Sequence, residues 1–332
     1  MPLTIGRTAL RADRKLPGSV ANSQPPVAPR LVTLNDLLWL LYLYPVRWAA
    51  GIMPRSFLYA IGRLADPIVQ CYSRGRKAKA IPWIAEACRV SPGRAGSIVR
   101  RSLSNSLFGL LDHLLLLRPS SKNALRCEEV DGIQHLESAI ARGKGVILLV
   151  GHFPANRVAG RYLAGQGYAV LSLRNRSATN VAEGWLGRRF LQPRWMELQK
   201  ITFPDHVYVQ DPECSLTILK RMRAGGLAVL QLDGLAGTNP VEHLFLGRPR
   251  SIPTGIFQIV RLSDCAVVPM LCLGRSDGFR IRFDPMLDVV PASSRDAFLS
   301  SNLSQFVTAI ERQVVENPEE WKLWIHFLAR PV

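Results

Sequence analysis

The sequence predicts an α/β fold: a mostly parallel central sheet flanked by helices, with an N-terminal helical cap. Three observations predict it. Short runs dominated by apolar residues recur at 146–151, 168–173, 227–233 and 266–273, the pattern of strands buried on both faces. Helix-like segments separate them, near 156–165, 180–191, 213–224 and 252–263, and such alternation joins parallel strands through crossover helices. Residues 34–118, in contrast, read as helical from end to end.

Taken in chain order, residues 1–30 are polar, basic and rich in Pro, and read as a disordered tail with no signal peptide. The stretch "LLWLLYLYPVRWAAGIM" (37–53) is strongly apolar but broken by Pro45 and Arg47. A spanning helix needs ~20 apolar residues with few charges. Two readings remain for it. It is a helix lying in the membrane interface, with Trp39, Tyr42, Tyr44 and Trp48 at headgroup level, or it is a buried core helix. Residues 97–117 have helical spacing, with Arg100 and Arg101 opposite the apolar side and Pro119 just beyond the end. Residues 132–145 form an amphipathic helix stopped by glycine. "FRIRFD" (279–284) alternates and reads as an edge strand with one wet face; 303–318 and 319–328 close the chain as helices. With no convincing linker, residues 31–332 read as one domain, a helical membrane-associating cap at 31–128 and a sheet core at 129–332.

Composition narrows the function. Of 332 residues, 48% are apolar, enough for a sizeable core. Forty-two Lys and Arg against twenty-five Asp and Glu leave a net charge of +17, which suits an anionic partner: nucleic acid, an anionic membrane or an acidic carrier protein. No nucleic-acid-binding motif or basic-aromatic strand pattern accompanies the charge, so nucleic acid is not expected. The cysteines (71, 88, 127, 214, 265, 272) are scattered, form no CxxC, and read as small buried hydrophobes in a reducing compartment. No metal-ligand spacing, phosphate-binding loop or Gly-x-Ser-x-Gly elbow is present, and no cofactor is implied.

In open α/β sheets, ligands bind beyond the carboxyl ends of the strands. Three strand ends carry polar chemistry here: Gly151-His152, Asp233-Gly234 and Arg174. His113, His135, His206, His243 and His326 read as structural, whereas His152 stands at a strand end just before a helix. A neutral imidazole there is able to take a proton from an attacking hydroxyl, given an acceptor on its other nitrogen that fixes the tautomer and stabilises the imidazolium.

"GVILLVGHF" resembles the first motif of the lysophospholipid acyltransferase superfamily. It is similar in particular to the bacterial lipid A lauroyl/myristoyl acyltransferase branch, where the strand runs into Gly-His-Phe-Gly-Asn-Trp-Glu. The likeness continues in order through "VDGIQHLESAIARGKG", "FLGRPRSIPTG" (245–255), "AVVPMLCLGRSDGFRIRFDPML" and "ENPEEWKLWIHFL", and reaches back to "LYPVRWAAGIMPRSFLYAIGRL". It covers about residues 34–330. The resemblance implies transfer of a fatty acyl chain from acyl carrier protein or acyl-CoA to a hydroxyl of a lipid or glycolipid acceptor. His152 would be the general base, at the cytoplasmic face of the inner membrane, with the protein peripheral or monotopic and in contact with anionic lipid. It leaves the oligomeric state open.

One departure matters. The family holds its histidine with an acid five residues later, and here that position is Arg157. Three readings follow. Another acceptor replaces the acid, with Asp233 the best candidate and Asn156 an uncharged alternative. Or the chain binds lipid or acyl carrier without catalysis. Or it serves an acceptor already nucleophilic enough, such as an amine. Arg174 and Arg176, in a position that resembles the family's second motif, and Arg248, in "GRP", are expected to bind phosphate on the acceptor or donor, and Asn156 and Arg157 to contact substrate.

Overall fold

The computed structural model describes residues 31–117, 127–175, 184–202, 205–234, 239–274 and 278–326. The expected N-terminal tail and Arg176 lie outside them.

The first third is helical, as its sequence predicts. Helix α1 (Leu34–Leu41) opens on a capping box: Thr33 Oγ accepts from the Asp36 amide, and the Asp36 carboxylate accepts from the Thr33 amide. Pro45 has no amide hydrogen to donate, and the chain widens into a π-turn over Tyr42–Val46 before α2 (Arg47–Ile52). Helices α3 (Arg55–Tyr72), α4 (Arg74–Cys88) and α5 (Pro92–Leu116) follow, the last capped by Ser91 with Pro92 in its first turn. The 37–53 stretch has a packed side and an exposed side. Trp39 and Tyr42 pack edge-on to Trp195, at 5.1 and 6.0 Å, and the Tyr42 hydroxyl donates to the Leu110 carbonyl at 2.8 Å. Trp48 and the leucines at 34, 37, 38 and 41 are exposed. Among the described residues no helix is long and apolar enough to cross a membrane.

The remainder builds a seven-stranded sheet in the order β1-β9-β8-β2-β5-β3-β4. Its strands are β1 (Cys127–Asp131), β2 (Val146–Val150), β3 (Val170–Arg174), β4 (His206–Tyr208), β5 (Leu227–Gln231), β8 (Ala266–Gly274) and β9 (Phe279–Phe283). The five strands from β8 to β4 are mutually parallel, while β9 runs antiparallel to β8 and carries β1 parallel to itself. Helices α6 (Ile133–Ala141), α7 (Asn156–Gly165), α8 (Gln192–Thr202), α9 (Cys214–Arg223), α10 (Gly255–Ser263) and α11 (Arg295–Glu316) connect or cover them. Central strand β2 is wholly buried. Ile147 and Leu149 enter the apolar cluster with α4, α9, α10 and α11; Val146, Leu148 and Val150 enter the one with α6, α7 and the end of α5.

Two expectations need correction. "FRIRFD" does alternate, with Phe279, Ile281 and Phe283 buried, but it is not an edge: β1 pairs with its outer side. Cys127–Asp131, with two adjacent glutamates, shows no strand period. The segment 319–328 is not a helix over its described part. It is one 3₁₀ turn (Lys322–Ile325) that drives Trp321 and Trp324 into the core. The helix-like reading at 180–191 holds over its described part, where residues 185–191 are helical and a π-turn (Gly187–Leu191) runs into α8. The sequence reading also missed a separate two-stranded hairpin, β6 (Val241–Phe245) and β7 (Arg248–Ile252). Its two-residue loop, Leu246-Gly247, has positive φ at both positions (50° and 75°), the backbone a type I′ turn requires.

Candidate active site

Strand register brings the two candidate catalytic residues together. In the parallel β2–β5 pair Val150 stands beside Gln231, so the second residue beyond each strand is His152 on one side and Asp233 on the other. Both chain segments have left the sheet by then, at the end where its crevices open. His152 Nδ1 lies 2.6 Å from Asp233 Oδ1, and the His152 amide donates to Asp233 Oδ2 at 2.7 Å. A third donor, the indole Nε1 of Trp321, reaches the same Oδ2 at 2.7 Å.

These bonds dictate the charge state. The Asp233 side chain is fully buried, and burial alone pushes its pKa up. The His152 charge and the hydrogen bonds from the His152 ring, Trp321 and the His152 amide outweigh that, leaving Asp233 below the usual carboxylate range. An ionised carboxylate only accepts, so Nδ1 carries a proton, and whenever the ring is neutral Nε2 presents its lone pair. The ring remains 20% exposed, and Nε2 bonds to none of the described residues. Asp233 thus supplies the acceptor that position 157 does not.

The other predicted residues divide. Asn156 does not orient the ring: its amide donates to the Gly151 carbonyl at 2.8 Å, and its oxygen accepts from the Cys272 amide at 3.1 Å, tying the end of β2 to β8. Arg157, in the first turn of α7, lies 5.9 Å from the Trp195 ring. Arg174 donates to Gln199 Oε1 at 3.1 Å, and its pKa is pushed down to about 10, first by burial and then by the Arg157 charge. Arg248 stacks on Trp83, 5.3 Å from its ring, beside Arg250 at 5.1 Å. Its reach to the dyad is indirect, because Trp83 packs on Trp321 at 5.9 Å and donates to the Leu246 carbonyl in the hairpin turn. The "GRP" motif therefore holds the hairpin against the aromatic wall behind Asp233.

Sequence reasoning missed two residues, both in "NPEEWKLW". Trp321 anchors the carboxylate. The Lys322 amide donates to the His152 carbonyl at 3.2 Å, and its pKa is pushed down to about 8, first by burial and then by Arg157, against the pull of Asp233. The available signal was the motif itself, whose "NPEEW" part ends on Trp321. His326 sits close by, its pKa lowered to about 4 by burial and by the Lys322, Arg76 and His152 charges.

A family model described as bacterial lipid A biosynthesis acyltransferase matches residues 37–330. No curated protein matches the chain.

Proposed function

The chain belongs to the bacterial lipid A biosynthesis acyltransferase family, and we propose on that premise that it moves a fatty acyl chain from acyl carrier protein or CoA to a hydroxyl of a lipid or glycolipid. Membership makes it an acyltransferase acting on lipid-type acceptors. The finer assignment gives His152 the role of general base and Asp233 that of its partner. Nε2 takes the proton as the acceptor oxygen attacks the thioester carbonyl. Asp233 stabilises the imidazolium against the tetrahedral intermediate. Collapse breaks the carbon–sulfur bond, and the departing thiolate takes the proton back from Nε2.

One observation carries this reading: the 2.6 Å bond from His152 Nδ1 to an ionised, buried carboxylate, with Nε2 left unbonded among the described residues. It favours a replaced acid over a chain that only binds lipid, because such a binder has no need of a fixed tautomer. No observation favours an amine acceptor. In this reading cap and sheet core act as one unit at the cytoplasmic face of the inner membrane, peripheral or monotopic. The apolar face of α3, with Phe57, Ile61, Leu64, Ile68 and Tyr72 exposed, enters the interface.

The test is transfer of radiolabelled acyl chain from acyl carrier protein or acyl-CoA to extracted bacterial lipid by the full chain in detergent. His152→Ala and Asp233→Asn should each lower kcat by about 10²–10⁴-fold with little change in donor binding. Donor binding with no transfer by the wild type, or turnover undiminished without the ring, overturns the reading.

A further inference from the structure

Helix α3 is amphipathic the wrong way round for a helix in water. Its apolar stripe from Phe57 to Tyr72 is exposed, and Leu58 is its only fully buried apolar side chain. The opposite stripe, half a turn away, faces α5 and carries Arg55, Tyr59, Asp66 and Gln70. The Tyr59 hydroxyl lies 2.9 and 2.8 Å from the two oxygens of Asp112, a buried carboxylate of α5. Arg55 donates to Asp112 at 3.3 Å and to the Tyr59 hydroxyl at 2.8 Å. Further along, the Ser104 hydroxyl donates to Asp66 at 2.8 Å, and the Gln70 amide donates to the Arg100 carbonyl at 2.9 Å. Between these two groups the helices touch at Gly62, where a Cβ would stand 2.8 Å from the Phe108 ring.

The seam leads to the dyad through direct contacts. Asp112 is one turn along α5 from Gly109, on the same side, and Gly109 has no room for a Cβ because Pro154 lies against it. Pro154 is two residues from His152 in the same short turn. An unbroken packed path therefore joins the inner stripe of α3 to the loop that carries the base.

Such a seam responds to what covers the other side of the helix. In water, hydrogen bonds across it compete with solvent, and the apolar stripe gains nothing by facing outward. Against a bilayer, hydrocarbon covers that stripe and water leaves the neighbourhood. The ion pair and hydrogen bonds strengthen in the lower dielectric, and any roll of the helix would carry Arg55 and Tyr59 toward hydrocarbon. Docked and undocked states thus differ in the free energy of the seam, which is what a conformational coupling requires.

We propose that Arg55, Tyr59 and Asp112 form an interfacial lock: seating α3 in a lipid bilayer tightens their contacts, presses α5 onto the Pro154 turn, and fixes the His152–Asp233 dyad in place. Asp112 is the positioning residue of this lock, acting on His152 through α5. The lock rests on the docking of α3 proposed above, and not on the chemistry assigned to His152.

The experiment follows hydrogen exchange of the full chain by mass spectrometry, in buffer and on phosphatidylglycerol vesicles, with co-sedimentation on the same samples. The His152 amide is bonded to Asp233, so exchange in a peptide spanning 151–157 reports the dyad without any acyl donor. In wild type, vesicles should slow that exchange by about fivefold or more. Asp112→Asn and Tyr59→Phe keep the apolar stripe and should co-sediment as wild type does, yet lose most of the slowing. Asp131→Asn, which removes an ion pair to Arg280 far from α3, should keep it. Thermal unfolding checks each variant. If Asp112→Asn is not folded, Tyr59→Phe decides alone, since it removes one oxygen and retains the ring stacked 4.8 Å from Phe108. Co-sedimentation of wild type without slowing, or equal slowing in a folded lock variant, overturns the lock alone. Wild type that does not co-sediment overturns the docking of α3 and the lock with it.

Discussion

Burial pushes the Asp233 carboxyl up, and the His152 charge together with three hydrogen-bond donors holds it below the usual carboxylate range. Trp321 is the donor that can be removed without touching the histidine. A hydrogen bond to a charged group contributes about 1.5–3 kcal/mol. Trp321→Phe keeps the ring in its aromatic wall and should lower kcat roughly tenfold, less than Asp233→Asn; steady-state kinetics against the same donor read both. Lys322 makes the opposite bargain. Its folded pKa of about 8 lies below its ordinary 10.5, so at neutral pH the fold holds a charge it would shed, beside Arg157, Asp233, His152 and His326. Below pH 8 both folded and unfolded chains carry the proton and the penalty is full. Between pH 8 and 10.5 the unfolded chain binds more protons, so wild-type stability rises with pH. Lys322→Met should therefore stabilise the protein by about 1–3 kcal/mol at pH 7, a gain that shrinks as pH climbs through that window. Denaturant unfolding across pH measures it.

At the scale of elements, the dyad depends on how closely α5 approaches the loop after β2. Gly109 of α5 faces Pro154, and a Cβ there would overlap the proline ring. Pro154 is two residues from His152 in a rigid turn, closed by the Asn156 amide donating to the Phe153 carbonyl. Gly109→Ala forces helix and loop apart and should cost about 1–3 kcal/mol of stability. It should also lower kcat more than it alters donor binding, since the displaced segment carries the base; melting curves and kinetics on one preparation test both. How far such geometry is legible in the sequence varies with the source of the signal. Strands β2, β5 and β8 are apolar runs whose burial on both faces is written into composition, and their ends marked His152 and Asp233 as candidates. Their side-by-side placement depends on register, Val150 beside Gln231, which no single strand encodes. The hairpin β6–β7 escaped because Pro249 and its arginines obscure the strand period, and β1 because "CEEVD" has none. The 319–328 segment misled for a physical reason: its tryptophans are spaced like a helix face, yet both turn inward, Trp321 to Asp233 and Trp324 to the Pro318 carbonyl at 2.8 Å. A tryptophan's role as donor to a carboxylate some ninety residues earlier exists only in the folded chain.

Across the whole molecule, two features suit a membrane surface, the net charge of +17 and the exposed apolar side chains of the cap, while among the described residues no helix is long and apolar enough to cross a membrane. Along α3, Phe57, Ile61, Leu64, Ile68 and Tyr72 recur at the spacing of one helical face, with Leu64 79% and Ile68 71% exposed. Arg63, Arg74, Arg76 and Lys79 are exposed on the same and the following helix. An apolar face inserts by the hydrophobic effect, which salt does not screen, whereas basic residues act on anionic headgroups at about 1 kcal/mol each, within a Debye length. The two contributions are separable by that difference. Binding to vesicles containing phosphatidylglycerol should weaken by more than tenfold between about 0.1 and 0.5 M salt, while the weaker binding to phosphatidylcholine vesicles should barely change. Leu64→Glu with Ile68→Glu, both on solvent-facing positions, should abolish the salt-resistant part and leave the unfolding temperature within a few degrees of wild type. Because a fatty acceptor is delivered from the bilayer, the same variant should lose transfer to vesicle-embedded acceptor yet keep transfer to one dispersed in detergent. Co-sedimentation and acyl-transfer assays on one set of vesicles read all three outcomes. Retained vesicle binding in the double variant would move the docking face away from α3.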